Sequence, residues 1–500
     1  MNLNIDRITT IGELKKSGWQ SISVKEEMRR NLIQKLQKNE PLFPDILGYE
    51  HSVIPQLQHA LLSKHDIILL GLRGQAKTRM LRLMVNFLDE YMPAIQGSEI
   101  NDDPFHPVSK YARELVEEKG DKTPIEWIPR SERYGEKLAT PDTTVADLIG
   151  DLDPIKAATQ KRTLADENVI NFGLIPRTNR GVFAINELPD LQPRIQVALL
   201  NIMQERDIQI RGFDVRIPLD VMMIYSANPE DYTNRGNIIT PLKDRIDAQI
   251  LTHYPKDISI GMNITEQEAW ASRDNEVTVH VPRIVKEILE QAAFEARESE
   301  YIDQKSGVSA RVTITAMEQL ISSAERRAIV NGETETTARI TDVYNVVPAL
   351  TGKLELVYEG EQEGAINVAK HLIGRAIKKR YVAHFPDPQT DKKQEDGKKY
   401  ESILDWFASG NELDLTDQMS NKEYAKALKN VNGLAKFVKK NGPSISRNEQ
   451  LIFMDLVIEA LHQHSMLGKE DIENMRSYSD MLGSMLGSVD DFENFDDFDQ

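Results

Sequence analysis

The chain has 500 residues and not one cysteine. Disulfides and thiolate metal sites are therefore excluded. It also lacks any apolar run near the roughly 18 to 20 residues that a bilayer span requires. The opening stretch MNLNIDRITTIGELKKSGWQ has no apolar signal core. Basic charge is in deficit: 61 Lys and Arg face 79 Asp and Glu, a formal net charge of −18. A generic grip on nucleic acid needs clustered cations that displace counterions, and this balance argues against one. The ten histidines show no ligand spacing; His462 and His464, two apart, would face different directions on a helix. Aromatics make up only 6% beside a 40% hydrophobic share, which suits a helix-rich globular chain. The length implies more than one domain, and a cytoplasmic location is the simplest expectation.

What is present begins at residues 66–78, DIILLGLRGQAKT. A strand pattern runs into Gly71 and the stretch closes on Lys77 and Thr78. The spacing is that of a phosphate-binding loop, with Ala76 in place of the last glycine. Such a loop turns backbone N–H groups inward around polyphosphate, so bulk is penalised at Gly71 and Gly74. Arg73, Gln75 and Ala76 complete the cradle. Lys77 supplies a compact positive charge and Thr78 a hydroxyl for magnesium. The Ala76 methyl group is tolerable there if the residue keeps a negative φ.

A second apolar run, GVFAINE (181–187), follows roughly 110 residues later and ends in Asn186 and Glu187. In P-loop ATPases this strand ends in two acids, one for the metal's water shell and one that polarises the attacking water. Glu187 is the second acid. Asn186 replaces the first, so its amide oxygen accepts without bringing charge. The expectation is slow turnover or a requirement for a partner, with Asn186→Asp raising turnover, and by less if Asp151 or Asp153 already supplies the charge. A third strand, VMMIYSAN (221–228), carries Asn228 at its tip, able to order a water. PLKDRID (241–247) then brings Arg245.

This order resembles the MoxR and magnesium-chelatase group of AAA+ ATPases. The segments that carry the resemblance are ILGYEHSVIPQLQHALL (46–62), GLRGQAKT (71–78), LIGDLDPIKA (148–157), GLIPRTNRGVFAINELPDLQPRIQVALLNIMQE (173–205) and SANPED (226–231). It covers about residues 45 to 330 and is absent from the last hundred. It implies an α/β fold: a P-loop AAA+ core with a parallel sheet, then an all-α lid and a small helical C-terminal region. ATP and Mg2+ are the implied cofactors. Tyr49 falls where the chain passes the adenine base, or else packs in the core. Arg245 falls at the arginine finger, which acts on a neighbour's nucleotide, with Arg180 as the other candidate. Arg311, at the start of the helix in 306–333, falls at the second sensor. A homo-oligomer follows, a hexameric ring by resemblance. The usual partner in this group carries a von Willebrand A domain. No DxSxS motif occurs here, so that partner would be a separate chain.

The pattern shifts divide the chain into an N-terminal helical segment (1–45), the ATPase core (46–256), the lid (257–385), a linker (386–399), a helical region (400–485) and an acidic tail (486–500). In the first, Leu32, Ile33 and Leu36 make an apolar stripe. The charged stretch 110–144 reads as a long functional loop. RDIQIRGFDVRIP (206–218) reads as a hairpin, either pressing on a substrate or lying on the surface. The tail either solubilises or docks. Three functions stand open: a MoxR-type motor or chaperone, the ATPase subunit of a magnesium or cobalt chelatase, and a nucleotide-regulated scaffold. An enhancer-binding transcription activator is disfavoured, because no GAFTGA loop is present.

Overall fold

The computed structural model describes residues 5–159, 166–210, 216–228, 237–273, 277–391, 399–443, 447–472 and 475–481. The tip of the 206–218 hairpin, half of the expected linker (392–398) and the acidic tail lie outside the described residues. The chain forms two compact units, Met1–Tyr254 and Pro255–Gln500.

The first unit is built on a five-stranded sheet: β1 (Ile67–Leu70), β2 (Tyr134–Leu138), β3 (Gly181–Asn186), β4 (Val221–Ala227) and β5 (Ala248–Leu251). The order is β5-β1-β4-β3-β2, and every neighbouring pair is parallel. The runs IILL, GVFAIN and VMMIYSA are apolar at nearly every position because both faces of a parallel sheet are covered. Side chains alternate between the faces. Ile68, Phe183, Ile185, Met223 and Tyr225 meet Ile195 and Leu199 of the helix Pro193–Gln204. Ile67, Leu69, Val182, Ala184, Met222 and Ile224 meet Met28, Leu32, Leu57 and Met80 on the other side.

Two expectations change here, and the expected hairpin forms. The helix Val24–Gln37 packs into this same core through Val24, Met28 and Leu32, so the buried stripe lies toward its start and Leu36 is 38% exposed. The stretch 110–144 is not a long loop. It holds a helix (Lys110–Lys119), a strand (Ile125–Pro129) paired antiparallel with Tyr91–Ile95, and β2 itself. β2 reads YGEKL and is only half-buried, as befits an edge strand. The hairpin Asp207–Gln209 with Arg216–Pro218 is antiparallel, with Ile208, Ile210 and Ile217 buried in the core.

The second unit packs the helices Arg283–Glu298, Arg311–Asn331, Ala365–His384 and Arg447–Gln463 around one core. Leu320, Ala324 and Ala328 are fully buried, and Gly332 at φ 66° ends their helix in the left-handed region. The lid and the C-terminal region share this core. Neither is purely helical. Thr278–His280 pairs in parallel with Glu335–Thr337, and Leu413–Thr416, Met475–Ser479 and Gly468–Ile472 form a three-stranded antiparallel sheet. These short strands are rich in polar residues and give no apolar run to read.

Candidate active site

A parallel sheet gathers its functional loops beyond the carboxyl ends of the strands. β1 runs into the loop 71–76, and the helix α1 (Lys77–Leu83) follows. Gly71 is obligatory by contact, since a Cβ there would strike the Thr252 hydroxyl and the Gln75 side chain. Gly74 takes φ 73°. Ala76 takes φ 57°, in the left-handed region, so the condition under which its methyl group would be carried freely is not met. That conformation costs an alanine about 1–2 kcal/mol, and the loop holds it because its other residues are pinned.

The pins are specific. Gln75 is buried and its side-chain oxygen accepts from Thr252 Oγ1 at 2.6 Å. The Tyr49 hydroxyl lies within hydrogen-bond distance of the carbonyls of Gln75 (3.0 Å) and His253 (2.8 Å). Burial pushes the Tyr49 phenol up to about 12, so it stays a neutral donor. Tyr49 itself is buried, its ring 5.0 Å from that of His253. Tyr254 donates to the carbonyl of Arg73 at 2.8 Å.

Lys77 Nζ donates to the Gly71 carbonyl, to the Leu72 carbonyl at 2.8 Å and to Asn228 Oδ1 at 2.7 Å. Thr78 Oγ1 donates to Asn186 Oδ1 at 3.3 Å. Residues from the ends of β1, β4 and β3, adjacent in that order, thus meet through two direct contacts. Glu187 is half-buried, takes φ 56° and donates its backbone N–H to Ser226 Oγ at 3.1 Å. Ser226 in turn donates to Asn186 Oδ1 at 2.7 Å.

Two participants went unread in the sequence. Ser226 lies inside the SAN signature, which is a usable signal. Glu136 has none. It sits on β2, and its Oε1 accepts from Asn186 Nδ2 at 2.8 Å. Arg82 of α1 grips the same carboxylate at 2.8 and 3.1 Å, and Tyr134 donates to it at 3.1 Å. Burial opposes its charge, but the Arg82, Tyr134 and Asn186 contacts outweigh that and hold it below the usual carboxylate range.

The other candidates are placed elsewhere. Asp153 caps the helix Pro154–Thr159 through the amides of Ile155 (2.9 Å) and Lys156 (3.0 Å), and Asp151 is exposed on the short strand Gly150–Leu152. The carboxylate beside Asn186 is therefore Glu136 and not one of these. Arg180 is closed in the core, donating to the Pro93 carbonyl at 2.8 Å and 3.4 Å from Asp103, so it is no finger. Arg245 ends the helix Thr240–Arg245, where it donates to Gln204 Oε1 (3.0 and 2.8 Å) and the Pro241 carbonyl (2.8 Å). Arg311 belongs to the second unit, exposed at the first residue of its helix, with its amide on Ser309 Oγ at 3.1 Å. His464 is buried among helices of that unit.

Thr78 and Asn186 offer hard oxygen donors with a carboxylate behind them. That set suits magnesium, which keeps several waters and binds through few protein groups beside phosphates.

Residues 162–250, the segment that carries β3, β4 and β5, match the family model described as the sigma-54 interaction domain. The chain is 25% identical over 267 residues to the magnesium-chelatase 38 kDa subunit of Rhodobacter capsulatus, which covers 52% of this chain and 70% of that one. It is 25% identical over 238 residues to the chaperone MoxR1 of Mycobacterium tuberculosis, covering 44% and 60%. Solved structures overlay loosely. The complex of the BchI and BchD subunits of magnesium chelatase gives a TM-score of 0.33 at 20% identity, over 64% of this chain and 98% of that one. NtrX from Brucella abortus gives 0.33 at 13%, over 58% and 55%. Its loop, its acid strand and these relatives support placing the chain with the MoxR and magnesium-chelatase group of AAA+ ATPases.

Proposed function

We propose that this chain works as a ring-forming ATP-driven motor or chaperone that remodels or activates a protein partner, in the cytoplasm. The observation that carries the proposal is the junction of Lys77 with Asn228 and of Thr78 with Asn186 at three neighbouring strand ends. In this reading Lys77 leaves the loop carbonyls for the outer phosphates of ATP, and the loop amides of residues 71–78 line the rest. Thr78 and Asn186 hold a magnesium ion directly or through its waters, and that ion, when bound, offsets phosphate charge. Glu187 polarises the attacking water and Asn228 orders it. Arg245 has work only in a neighbouring subunit's site, after releasing Gln204. Arg311 senses the γ-phosphate from the lid. The partner is a separate chain with a von Willebrand A domain.

A second reading, the ATPase subunit of a magnesium or cobalt chelatase, draws support from the 38 kDa chelatase relatives. An ATPase assay beside nucleotide-dependent sizing tests the proposal. ATP should drive a ring, and a von Willebrand A partner should raise turnover. Lys77→Ala should lose tight ATP binding, since each charge-assisted hydrogen bond is worth about 1.5–3 kcal/mol. Unchanged ATP affinity in that variant would remove the site. Stimulation by a tetrapyrrole-binding partner instead would favour the chelatase reading.

A further inference from the structure

Asn186 stands where the resemblance expects an acid, yet the position does not lack a negative charge nearby. An amide has a donor end and an acceptor end. Here Glu136 takes the donor end at 2.8 Å, which turns Oδ1 toward Thr78 and Ser226. Glu136 reaches this place because β2 lies beside β3 in parallel, with Glu136 opposite Ala184 and Leu138 opposite Asn186. Arg82, one turn along the helix that begins with Lys77 and Thr78, fixes the carboxylate from the other side.

We propose that Asn186 and Glu136 act as one divided acid: Asn186 presents the oxygen and Glu136 supplies the charge, so that the site's grip on its divalent cation depends on Glu136. The inference rests on the ATP-site reading above. It also explains the asparagine. A carboxylate at position 186 cannot donate to Glu136, and two carboxylates at that separation repel. The asparagine is the complement that Glu136 requires. Glu136 is a positioning residue in this scheme, acting through Asn186. Its loss should resemble the loss of other outer-shell partners of metal ligands, which costs about 10- to 100-fold in metal affinity.

The test is Mn2+ binding followed by electron paramagnetic resonance, with a non-hydrolysable ATP analogue present. Metal-free binding of the analogue serves as the reference. Glu136→Gln should weaken Mn2+ about tenfold or more. Asn186→Asp alone should also weaken it, because it sets two acids against each other. The exchanged pair, Glu136→Gln with Asn186→Asp, again holds one acid, one amide and one hydrogen bond, and should recover to within about threefold of the parent. Arg82→Ala keeps the pair and should retain Mn2+. Equal Mn2+ affinity in the parent and Glu136→Gln would overturn the inference. So would an exchanged pair that folds like the parent but stays weak, or an Arg82→Ala variant as weak as Glu136→Gln, which would reduce Glu136 to a surface ion-pair partner. If the parent itself fails to bind the analogue, the ATP-site reading fails, and not merely this inference.

Discussion

The two ends of the central sheet are both polar, but in opposite ways. At the amino ends a charged residue stands directly before every strand; Asp247, before β5, is exposed, and the other four are Asp66, Arg133, Arg180 and Asp220. Each of these four is buried or nearly so and is closed off by the chain itself. Lys25 pairs with Asp66 at 2.8 Å. Glu27 receives both arms of Arg133 at 2.7 and 2.6 Å, with the Arg180 carbonyl filling the remaining donors. Asp220 accepts the first amide of the helix Val24–Gln37 at 2.7 Å. Burial pushes the carboxyls of Asp66 and Asp220 up, the expected price of desolvation. At the carboxyl ends the polar groups sit around a glycine loop, where Lys77 donates to two loop carbonyls and to the Asn228 amide oxygen. The lesson is that burial of polar groups does not by itself mark a site. Charges neutralised by rigid partners are architecture; a glycine loop that gathers a lysine and side-chain amides beyond the strand ends is built to meet an anion.

Breaking the closed end should have the largest effect. Arg133→Ala leaves Glu27 buried without its countercharge and should cost about 3–5 kcal/mol of unfolding free energy, read from chemical denaturation. A turnover defect with unchanged stability would erase the distinction between the two ends. The open end should answer in the reverse sense. Glu187→Gln should lower turnover about 100-fold or more, as expected for a lost general base, while ATP still binds. Its stability should stay within about 0.5 kcal/mol of the parent, as for a substitution away from the core. Undiminished turnover would sink the motor mechanism. The smallest effect sharpens the account of the loop. Ala76→Gly should relieve the left-handed strain and add up to about 1 kcal/mol, seen as a higher denaturation midpoint. A loss of stability would mean that the methyl group is packed and the strain compensated.

Asn186→Asp changes meaning between sequence and structure. From the strand GVFAINE alone it is a repair that should raise turnover. With Glu136 against the amide it becomes a collision of two carboxylates. The reason it could not be foreseen is distance along the chain. Fifty residues separate Glu136 from Asn186, and YGEKL, an edge strand, has no apolar run to announce it. The same holds for LDLT, GKEDI and MRSYS, which become strands only against one another. Leu36 misled for a different reason: helical spacing allows two stripes, and the core took the one through Met28.

The sequence by itself determined what depends on neighbours in the chain. The spacing from Gly71 to Thr78 is a local demand of backbone wrapped around an anion. The apolar runs before Glu187 and Asn228 are a local demand of strands buried on both faces. Gly332, at positive φ, stops one helix where it stands, and Gly433, also at positive φ, marks the start of another. The tertiary structure alone decided which groups share space. It set β2 beside β3 and so delivered Glu136 to Asn186. It sealed Arg180 against Asp103 and so removed it from the chemistry. It also turned Ala76 into the left-handed region, because the pinned residues around it leave the loop no other way to close.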